Sequence, residues 1–285
     1  MLKNLIEKAN TLIEALPYIK NFSGKTFVIK YGGAAQKDLA LKSAFAQDIV
    51  LLNFIGIHTV VVHGGGPRIS DMMKKLGKEP KFIDGHRVTD QETMEIVEMV
   101  LGGVINKEIV SFINSHGGKA IGVTGKDGFL IRAEKMAFPS GSADLGLVGK
   151  VKEINSEMVL NLQRENFITI VSPIGVGPDG QSLNINADSA AQALATALKA
   201  EKLILLTDVP GILVNGNTVS TLGSQKAAAM IDEGVISGGM IPKTRACLDA
   251  LKAGVGKTHI LDGRIPHCLL LEIFTKEGVG TEITN

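Results

Sequence analysis

The sequence predicts an α/β fold whose mainly parallel sheet is covered by helices on both faces. Strand-like and helix-like patterns alternate along most of the 285 residues. Strand segments such as residues 203–207 are apolar throughout, which is typical of parallel strands buried on both faces. Hydrophobic residues make up 45% of the chain and charged residues 21%, which indicates a globular protein with an ample core.

The predicted elements follow one another in a regular order. Apolar residues at helical spacing over 2–20 predict an amphipathic helix that Pro17 and residues 21–24 end. In the first half of the chain, the pattern then predicts a strand at 26–31, a helix at 38–56, a strand at 58–63, a helix at 68–76 and a helical stretch at 91–116. It next predicts a strand–turn–strand unit at 119–133, an irregular excursion at 134–155, a helix at 156–166 and a strand at 167–172. The second half predicts a helix at 187–199, a strand at 203–207, helices at 224–233 and 240–253, a strand at 259–261, a short helix at 266–270 and a strand at 281–283.

Composition excludes several classes of protein. The net charge is +1, with two tyrosines and no tryptophan, which argues against a nucleic-acid surface. Cys247 and Cys268 form no C-x-x-C pair, as expected for a reduced cytoplasmic protein. We expect no membrane span, since no 18-residue apolar run occurs, and no signal peptide, since Glu7 and Glu14 interrupt the N-terminal apolar pattern.

Two glycine-rich turns come directly after apolar strands. The first follows the strand at 26–31 and carries Lys30 before Gly32 and Gly33; the second, at residues 64–66, follows the strand at 58–63. Glycine lets backbone N–H groups approach a ligand closely, and a following helix N-terminus favours anions. The pair predicts a site that holds a polyanion from two sides.

Two other phosphate-binding motifs are disfavoured. The chain has no G-x-x-x-x-G-K-[ST] sequence. Residues 175–180 match G-x-G-x-x-G, but residues 178–180 (PDG) indicate a turn and an extended run follows, where a dinucleotide site needs a helix.

Five segments, in order, carry a family resemblance. They are residues 30–33 (KYGG), 63–66 (HGGG), 85–89 (GHRVT), 184–188 (NINAD) and 238–243 (GGMIPK). With them the chain resembles the amino acid kinase family, and within it the branch that acts on N-acetyl-L-glutamate. The resemblance implies a three-layer αβα sandwich, ATP with Mg²⁺, and phosphorylation of the γ-carboxylate of N-acetyl-L-glutamate in arginine biosynthesis.

The implied chemistry suits these residue types. A carboxylate is already ionised at pH 7, so its phosphorylation needs positioning and charge neutralisation rather than a general base. The resemblance places Lys30 and Lys243 on the transferring phosphoryl group and has Asp188 hold both ammonium groups. Each lysine could instead be a solvated surface residue, and Asp188 an ordinary helix N-cap. His63 is expected to be packed or to cap a turn.

The resemblance also assigns binding roles. Arg87 would clamp the α-carboxylate of the substrate, although a surface ion pair is the alternative. Gly65 and Gly66 would donate backbone N–H groups, and Asn184 would bond the substrate beside its acetamido end. The residues expected around ATP are Gly32, Gly33, Gly64, Thr207, Asp208 and Gly211. No cluster has metal-ligand spacing, so Mg²⁺ is expected on the ATP phosphates and water.

Two other functions remain open at this point. One is a family member with a different acceptor, such as aspartate, glutamate, carbamate or uridylate. The other is a catalytically silent effector-binding protein, which the intact Lys30, Lys243 and Asp188 disfavour.

The N-terminal helix predicts an additional function. Its apolar stripe must be buried, either on its own domain or against the same helix of another subunit. The resemblance implies a homohexamer built as a trimer of dimers and inhibited by L-arginine. The residues implied at the arginine site are Tyr18, Lys202, His267, Glu272 and Gly278. We therefore predict an oligomerisation helix at 1–22, a substrate-binding lobe at 23–175 and a nucleotide-binding lobe at 176–285.

Overall fold

The computed structural model describes residues 2–36, 38–137 and 144–285. The α-helices are α1 (Leu2–Phe22), α2 (Leu39–Phe54), α3 (Gly66–Lys75), α4 (Gln91–Glu98), α5 (Asn106–Ser115), α6 (Ser156–Arg164), α7 (Ala187–Ala197), α8 (Ser224–Asp232), α9 (Met240–Lys252) and α10 (Cys268–Phe274). A π-helical segment, Met99–Ile105, joins α4 to α5 within the predicted stretch 91–116, and short 3₁₀ turns form at Gly33–Gln36 and Asp127–Phe129. None of the described helices is long and apolar enough to cross a membrane.

The described residues form sixteen strands, and eight of them make up the central sheet of the molecule. The strands are β1 (Thr26–Tyr31), β2 (His58–His63), β3 (Phe82–Ile83), β4 (His86–Arg87), β5 (Ala120–Thr124), β6 (Ile131–Lys135), β7 (Val148–Ile154), β8 (Ile168–Ser172), β9 (Ile174–Val176), β10 (Ser182–Ile185), β11 (Lys202–Thr207), β12 (Leu213–Val214), β13 (Asn217–Thr218), β14 (Thr221–Gly223), β15 (Lys257–Asp262) and β16 (Thr281–Thr284). The order of the central sheet is β14-β16-β15-β11-β1-β2-β8-β5, and among its described strand pairs only β15–β16 is antiparallel. The mainly parallel sheet is confirmed.

Two apolar cores cover the two faces of this sheet. Along β1, Phe27 and Ile29 belong to one core and Val28 to the other, as the two-residue alternation of a strand requires. Helices α2, α5 and α10 contribute to the first core, and α7, α8 and α9 to the second. These layers confirm the αβα sandwich.

Helix α1 is longer than the sequence predicts. It continues through Pro17 and ends at Phe22. Proline costs a helix one backbone hydrogen bond, but the last turn of α1 is anchored by ring contacts. Tyr18 meets Phe274 edge-on with centroids 6.2 Å apart, and Phe22 meets Phe27 at 5.3 Å. The prediction that Pro17 helps to end the helix is wrong.

The predicted irregular excursion at 134–155 is also wrong in part. Strand β6 extends to Lys135, and β7 covers residues 148–154; both belong to a small closed sheet of order β10-β7-β6-β9. The glycines and serines that precede β7 in the sequence concealed the start of this strand. Residues 138–143 lie outside the described part of the chain.

The G-x-G-x-x-G match forms a turn, as predicted. Strand β9 leads into it, Gly180 has φ +77°, and β10 returns antiparallel to β9. The predicted boundary between residues 175 and 176 falls inside β9, so the division into two lobes stays a prediction.

Candidate active site

The two glycine turns lie side by side because their strands are parallel neighbours. Tyr31 at the end of β1 is in register with His63 at the end of β2, and β11 pairs with the other side of β1. Ligands bind at the carboxyl ends of strands in such sheets. Gly33 has φ +68°, a conformation that favours glycine, and its Cα faces the Thr207–Asp208 backbone at the end of β11.

Asp188 connects the two candidate catalytic lysines. Its carboxylate lies 3.0 Å from Lys30 Nζ and 2.9 Å from Lys243 Nζ. Lys30 comes from β1, Asp188 from the first turn of α7, and Lys243 from the first turn of α9. The side chains of all three are less than one-fifth exposed. The solvated-lysine alternative is therefore wrong for both lysines.

Asp188 is not the N-cap of α7. Asn186 holds that position, and its side chain accepts hydrogen bonds from the N–H groups of Asp188 and Ser189. The carboxylate is thereby left to the lysines. Burial opposes its ionisation, but the nearby Lys30 and Lys243 ammonium groups outweigh burial and hold the pKa of Asp188 below its usual value. With both lysines charged, the trio carries a net charge of +1.

A cavity of about 720 Å³ that is open to solvent lies beside Lys30 and Asp188. Its lining includes Lys30, Gly33, Asp188 and the backbone of residues 64–66. Gln36 and Arg68 also line it, and the sequence analysis missed both. Arg68 stands two residues after the second glycine turn, a proximity that could have identified it.

A second cavity of about 730 Å³ shares residues 64–66 with the first. Arg87 and Asn184 both line it, as predicted. Arg87 is buried; its Nη2 donates to the Gly66 carbonyl at 2.9 Å and to Ser70 Oγ at 2.8 Å. The surface ion-pair alternative for Arg87 is wrong, since the side chain is held by neutral acceptors within the cavity wall.

Asn184 and Arg87 belong to elements that meet at this cavity. The Asn184 amide donates to Thr89 Oγ1 at 3.2 Å, and Thr89 Oγ1 donates to the Arg87 carbonyl at 2.7 Å. The guanidinium carbon of Arg87 lies 4.7 Å from the centre of the Phe82 ring, a cation–π distance. The arrangement holds one charged fork in a confined space, which suits a small carboxylate.

The predicted ATP residues are distributed over two places. Gly33 and Gly64 line the cavity beside Lys30 and Asp188, and the Lys30 side chain folds against Gly32. Gly211 lines a largely apolar cavity of about 450 Å³ beyond β11, beside Val209 and Met240. Thr207 is buried and Asp208 exposed at the end of β11, and neither is among the described residues that line these two cavities. Within the described residues, no group of three acidic, histidine or cysteine side chains could hold a metal ion.

The residues predicted at an arginine site are only partly brought together. Lys202 Nζ lies 2.9 Å from His259 Nε2, and His259 Nδ1 lies 2.8 Å from Glu272. Gly278 stands against the Glu272 carboxylate, whereas Tyr18 packs on Phe274. His267 contacts Asp48 at 2.6 Å instead. Sequence analysis missed His259, which looked like an ordinary strand residue.

The family to which the chain belongs agrees with its sequence motifs and its fold. The model of the amino acid kinase family matches residues 25–262. The chain therefore belongs to the amino acid kinase family, which confirms the predicted fold and the enzyme class, a kinase.

Known proteins resemble the chain at three levels of sequence identity. An acetylglutamate kinase from Sulfurihydrogenibium sp. (strain YO3AOP1) is 55% identical, and the match covers 99% of this chain and 100% of that one. The N-acetylglutamate synthase of Neisseria gonorrhoeae is 25% identical in two structures, one with coenzyme A and N-acetyl-glutamate (TM-score 0.87) and one with coenzyme A and L-arginine (TM-score 0.83). Each match covers 97% of this chain, but only 63% and 65% of the synthase chain. Carbamate kinase from Giardia lamblia bound to AMP-PNP is 18% identical with a TM-score of 0.69, covering 93% of this chain and 99% of that one, and so shares the fold.

Proposed function

We propose that this protein transfers the γ-phosphoryl group of ATP to the γ-carboxylate of N-acetyl-L-glutamate. The observation that carries the proposal is the Lys30–Asp188–Lys243 bridge. Lys30 and Asp188 line a cavity that shares residues 64–66 with the cavity containing Arg87. The 55% identical acetylglutamate kinase supports this choice of acceptor.

The two lysines neutralise charge during transfer. A γ-carboxylate oxygen attacks the γ-phosphorus, and the bond between that phosphorus and the β–γ bridging oxygen breaks, so that ADP leaves with the electron pair. Negative charge spreads over the phosphoryl oxygens, and the Lys30 and Lys243 ammonium groups stabilise it. No proton needs to leave the nucleophile, because the carboxylate is already ionised at pH 7.

The two cavities position the substrates. The Arg87 guanidinium binds the α-carboxylate of N-acetyl-L-glutamate, and Asn184 bonds the substrate near its acetamido end. Gly65 and Gly66 donate N–H groups between the two cavities. The adenine of ATP would occupy the apolar cavity at Gly211, and Mg²⁺ would be held mainly by the ATP phosphates and water.

Removing either lysine tests the catalytic assignment. Lys30→Ala and Lys243→Ala should each lower kcat by about 10²–10³, as the loss of one transition-state donor does in other enzymes. Lys226→Ala, an exposed substitution on α8, is the control and should leave kcat unchanged. Coupled ADP-release assays with circular dichroism of each variant provide the measurement. Wild-type turnover by either lysine variant would refute the assignment.

Arginine inhibition and assembly through α1 are the regulatory part of the proposal. The six apolar side chains of the α1 stripe are all more than half exposed: Leu2, Leu5, Ile6, Leu12, Ile13 and Leu16. The stripe does not pack on its own domain in the described chain, and this exposure supports pairing with other subunits in a hexamer. The Glu272 carboxylate, which His259 connects to Lys202, would receive the guanidinium of arginine. The related synthase bound to L-arginine supports this ligand.

Deleting residues 1–22 tests the regulatory proposal separately from the kinase assignment. The full-length protein should be a hexamer inhibited by arginine, and the shortened protein an active dimer with a weaker response, as measured by light scattering and arginine titration. A full-length dimer indifferent to millimolar arginine would contradict the regulatory proposal and leave the kinase assignment intact.

A further inference from the structure

The carbonyl of Gly64 is held by two side chains where the glycine turns meet. His63 Nδ1 lies 3.1 Å from this oxygen, and Gln36 Nε2 donates to it at 3.2 Å. Gln36 Nε2 also donates to the Tyr31 carbonyl at 3.1 Å, so one amide connects the ends of β1 and β2. The Gly64 N–H donates to the same Tyr31 oxygen at 2.9 Å. Both backbone polar groups of Gly64 are therefore fixed.

His63 serves here as a neutral donor. Burial lowers the pKa of its imidazole to about 4, against the opposing effect of the Gly64 carbonyl. Because a carbonyl only accepts, the proton lies on Nδ1. Nε2 is then free to accept from the Asn106 amide at 3.4 Å, while the Ser172 hydroxyl, 3.0 Å from Nε2, donates to the Leu101 carbonyl at 3.1 Å. These buried partners hold the ring and its tautomer in place.

The orientation of the Gly64 carbonyl determines where the next N–H group points. In a planar trans peptide, the Gly64 C=O and the Gly65 N–H point in opposite directions. Two donors hold the oxygen, so the Gly65 N–H lies on the other side of the peptide. Gly65 lines both cavities, and the described residues give its N–H no hydrogen-bond acceptor.

Building on the proposed kinase function, we propose that Gln36 and His63 are positioning residues that aim the Gly65 N–H at the transferring phosphoryl group. Without them, the Gly64–Gly65 peptide could rotate and present its carbonyl to the developing negative charge. A misdirected dipole of this kind raises the barrier, because transition-state stabilisation depends on donors that are already oriented.

The Gln36→Met variant tests the proposal with little disturbance. It preserves side-chain length but removes the amide donor, while His63 remains. We expect kcat to fall about 10-fold, less than for complete loss of a donor, with the KM of both substrates within about twofold of wild type. The affinity for MgADP–aluminium fluoride with N-acetylglutamate should fall by the same factor as kcat, while that for MgADP alone stays constant. Gln192→Met, which removes an amide bond to Thr196 on α7, is the matched control and should match wild type.

Two His63 variants test the position of the donor. His63→Asn keeps an N–H near Nδ1 and should retain kcat within about threefold, whereas His63→Gln places its amide near Nε2 and should lose at least about tenfold. Wild-type kcat and analogue affinity in Gln36→Met would overturn the positioning role, as would equal kcat in two folded His63 variants. If the wild-type protein does not phosphorylate N-acetylglutamate, the proposed function itself fails; wild-type turnover with an unaffected Gln36→Met variant refutes only the positioning role.

Discussion

Asp188→Asn provides the sharpest test of how the charges at this site cooperate. The substitution keeps the shape of the side chain but raises the net charge of the trio from +1 to +2. At separations of 3.0 and 2.9 Å, each ion pair is worth about 5–6 kcal/mol of Coulomb energy at an effective dielectric constant of about 20. Much of this offsets the cost of burying the charges, and removing one member of a buried pair typically costs about 3–5 kcal/mol of stability.

We therefore expect the melting temperature of Asp188→Asn to fall by about 10 °C. Because two uncompensated ammonium groups attract phosphates, the Kd of MgADP should be no weaker than in wild type. Misplaced lysines should nevertheless lower kcat by about 10²-fold. Saturating MgADP should then restore part of the lost melting temperature, since a ligand stabilises the state it binds.

Differential scanning fluorimetry, calorimetric titration with MgADP and steady-state kinetics measure these three quantities. Asp179→Asn, an exposed substitution in the 178–180 turn, is the control. Wild-type kcat in Asp188→Asn, or loss of MgADP binding with kcat unchanged at saturation, would show that Asp188 does not position the lysines.

Two further predictions concern binding and pH. Arg87→Lys keeps the charge but loses the planar fork, so the KM for N-acetylglutamate should rise at least about 10-fold while the KM for ATP stays constant; a raised ATP KM with an unchanged acid KM in steady-state kinetics would reverse the assignment of the two cavities. Burial raises the pKa of Asp48 to about 6, against the opposing contact with His267, so the folded state binds this proton more tightly than the unfolded state. The stabilisation that the protonated Asp48 carboxyl gives the folded state is complete below about pH 4 and is lost as the pH rises through about 6. The free energy of unfolding of wild type relative to Asp48→Asn should therefore fall by up to about 3 kcal/mol from pH 4 to 7. Urea titrations of both proteins across this range measure it, and a constant difference would contradict the role of Asp48.

Much of the fold could be predicted because its signals are local. Apolar runs such as residues 203–207 form buried parallel strands, and the turn at 178–180 is determined by proline and glycine chemistry. The failures occurred where tertiary contacts decide the structure. Nothing near Pro17 indicates that Tyr18 will pack on Phe274 and hold the last turn of α1 in place.

The site shows the same division between local signals and tertiary contacts. Lys30 and the glycine turns stand out because a polar residue or a flexible turn follows an apolar strand. Gln36 and His259 carry no such signal, since their roles depend on partners distant in sequence: the Gly64 carbonyl for Gln36, and Lys202 and Glu272 for His259. The role of Asp188 was ambiguous from the sequence, because it could have been the N-cap of α7. The structure has Asn186 at that position.

The central claim is that the carboxylate of N-acetyl-L-glutamate accepts the phosphoryl group, and trapping the product tests it most directly. The wild-type protein would be incubated with MgATP, hydroxylamine and one acid at a time: N-acetyl-L-glutamate, L-glutamate, L-aspartate or carbamate, with uridylate assayed by ADP release alone. The account predicts equal amounts of ADP and hydroxamate with N-acetyl-L-glutamate, and a kcat/KM at least about 10²-fold lower for every other acceptor, because a buried site loses its paired polar contacts with the wrong ligand. Preferred turnover of another acceptor, or ADP release without hydroxamate, would contradict it.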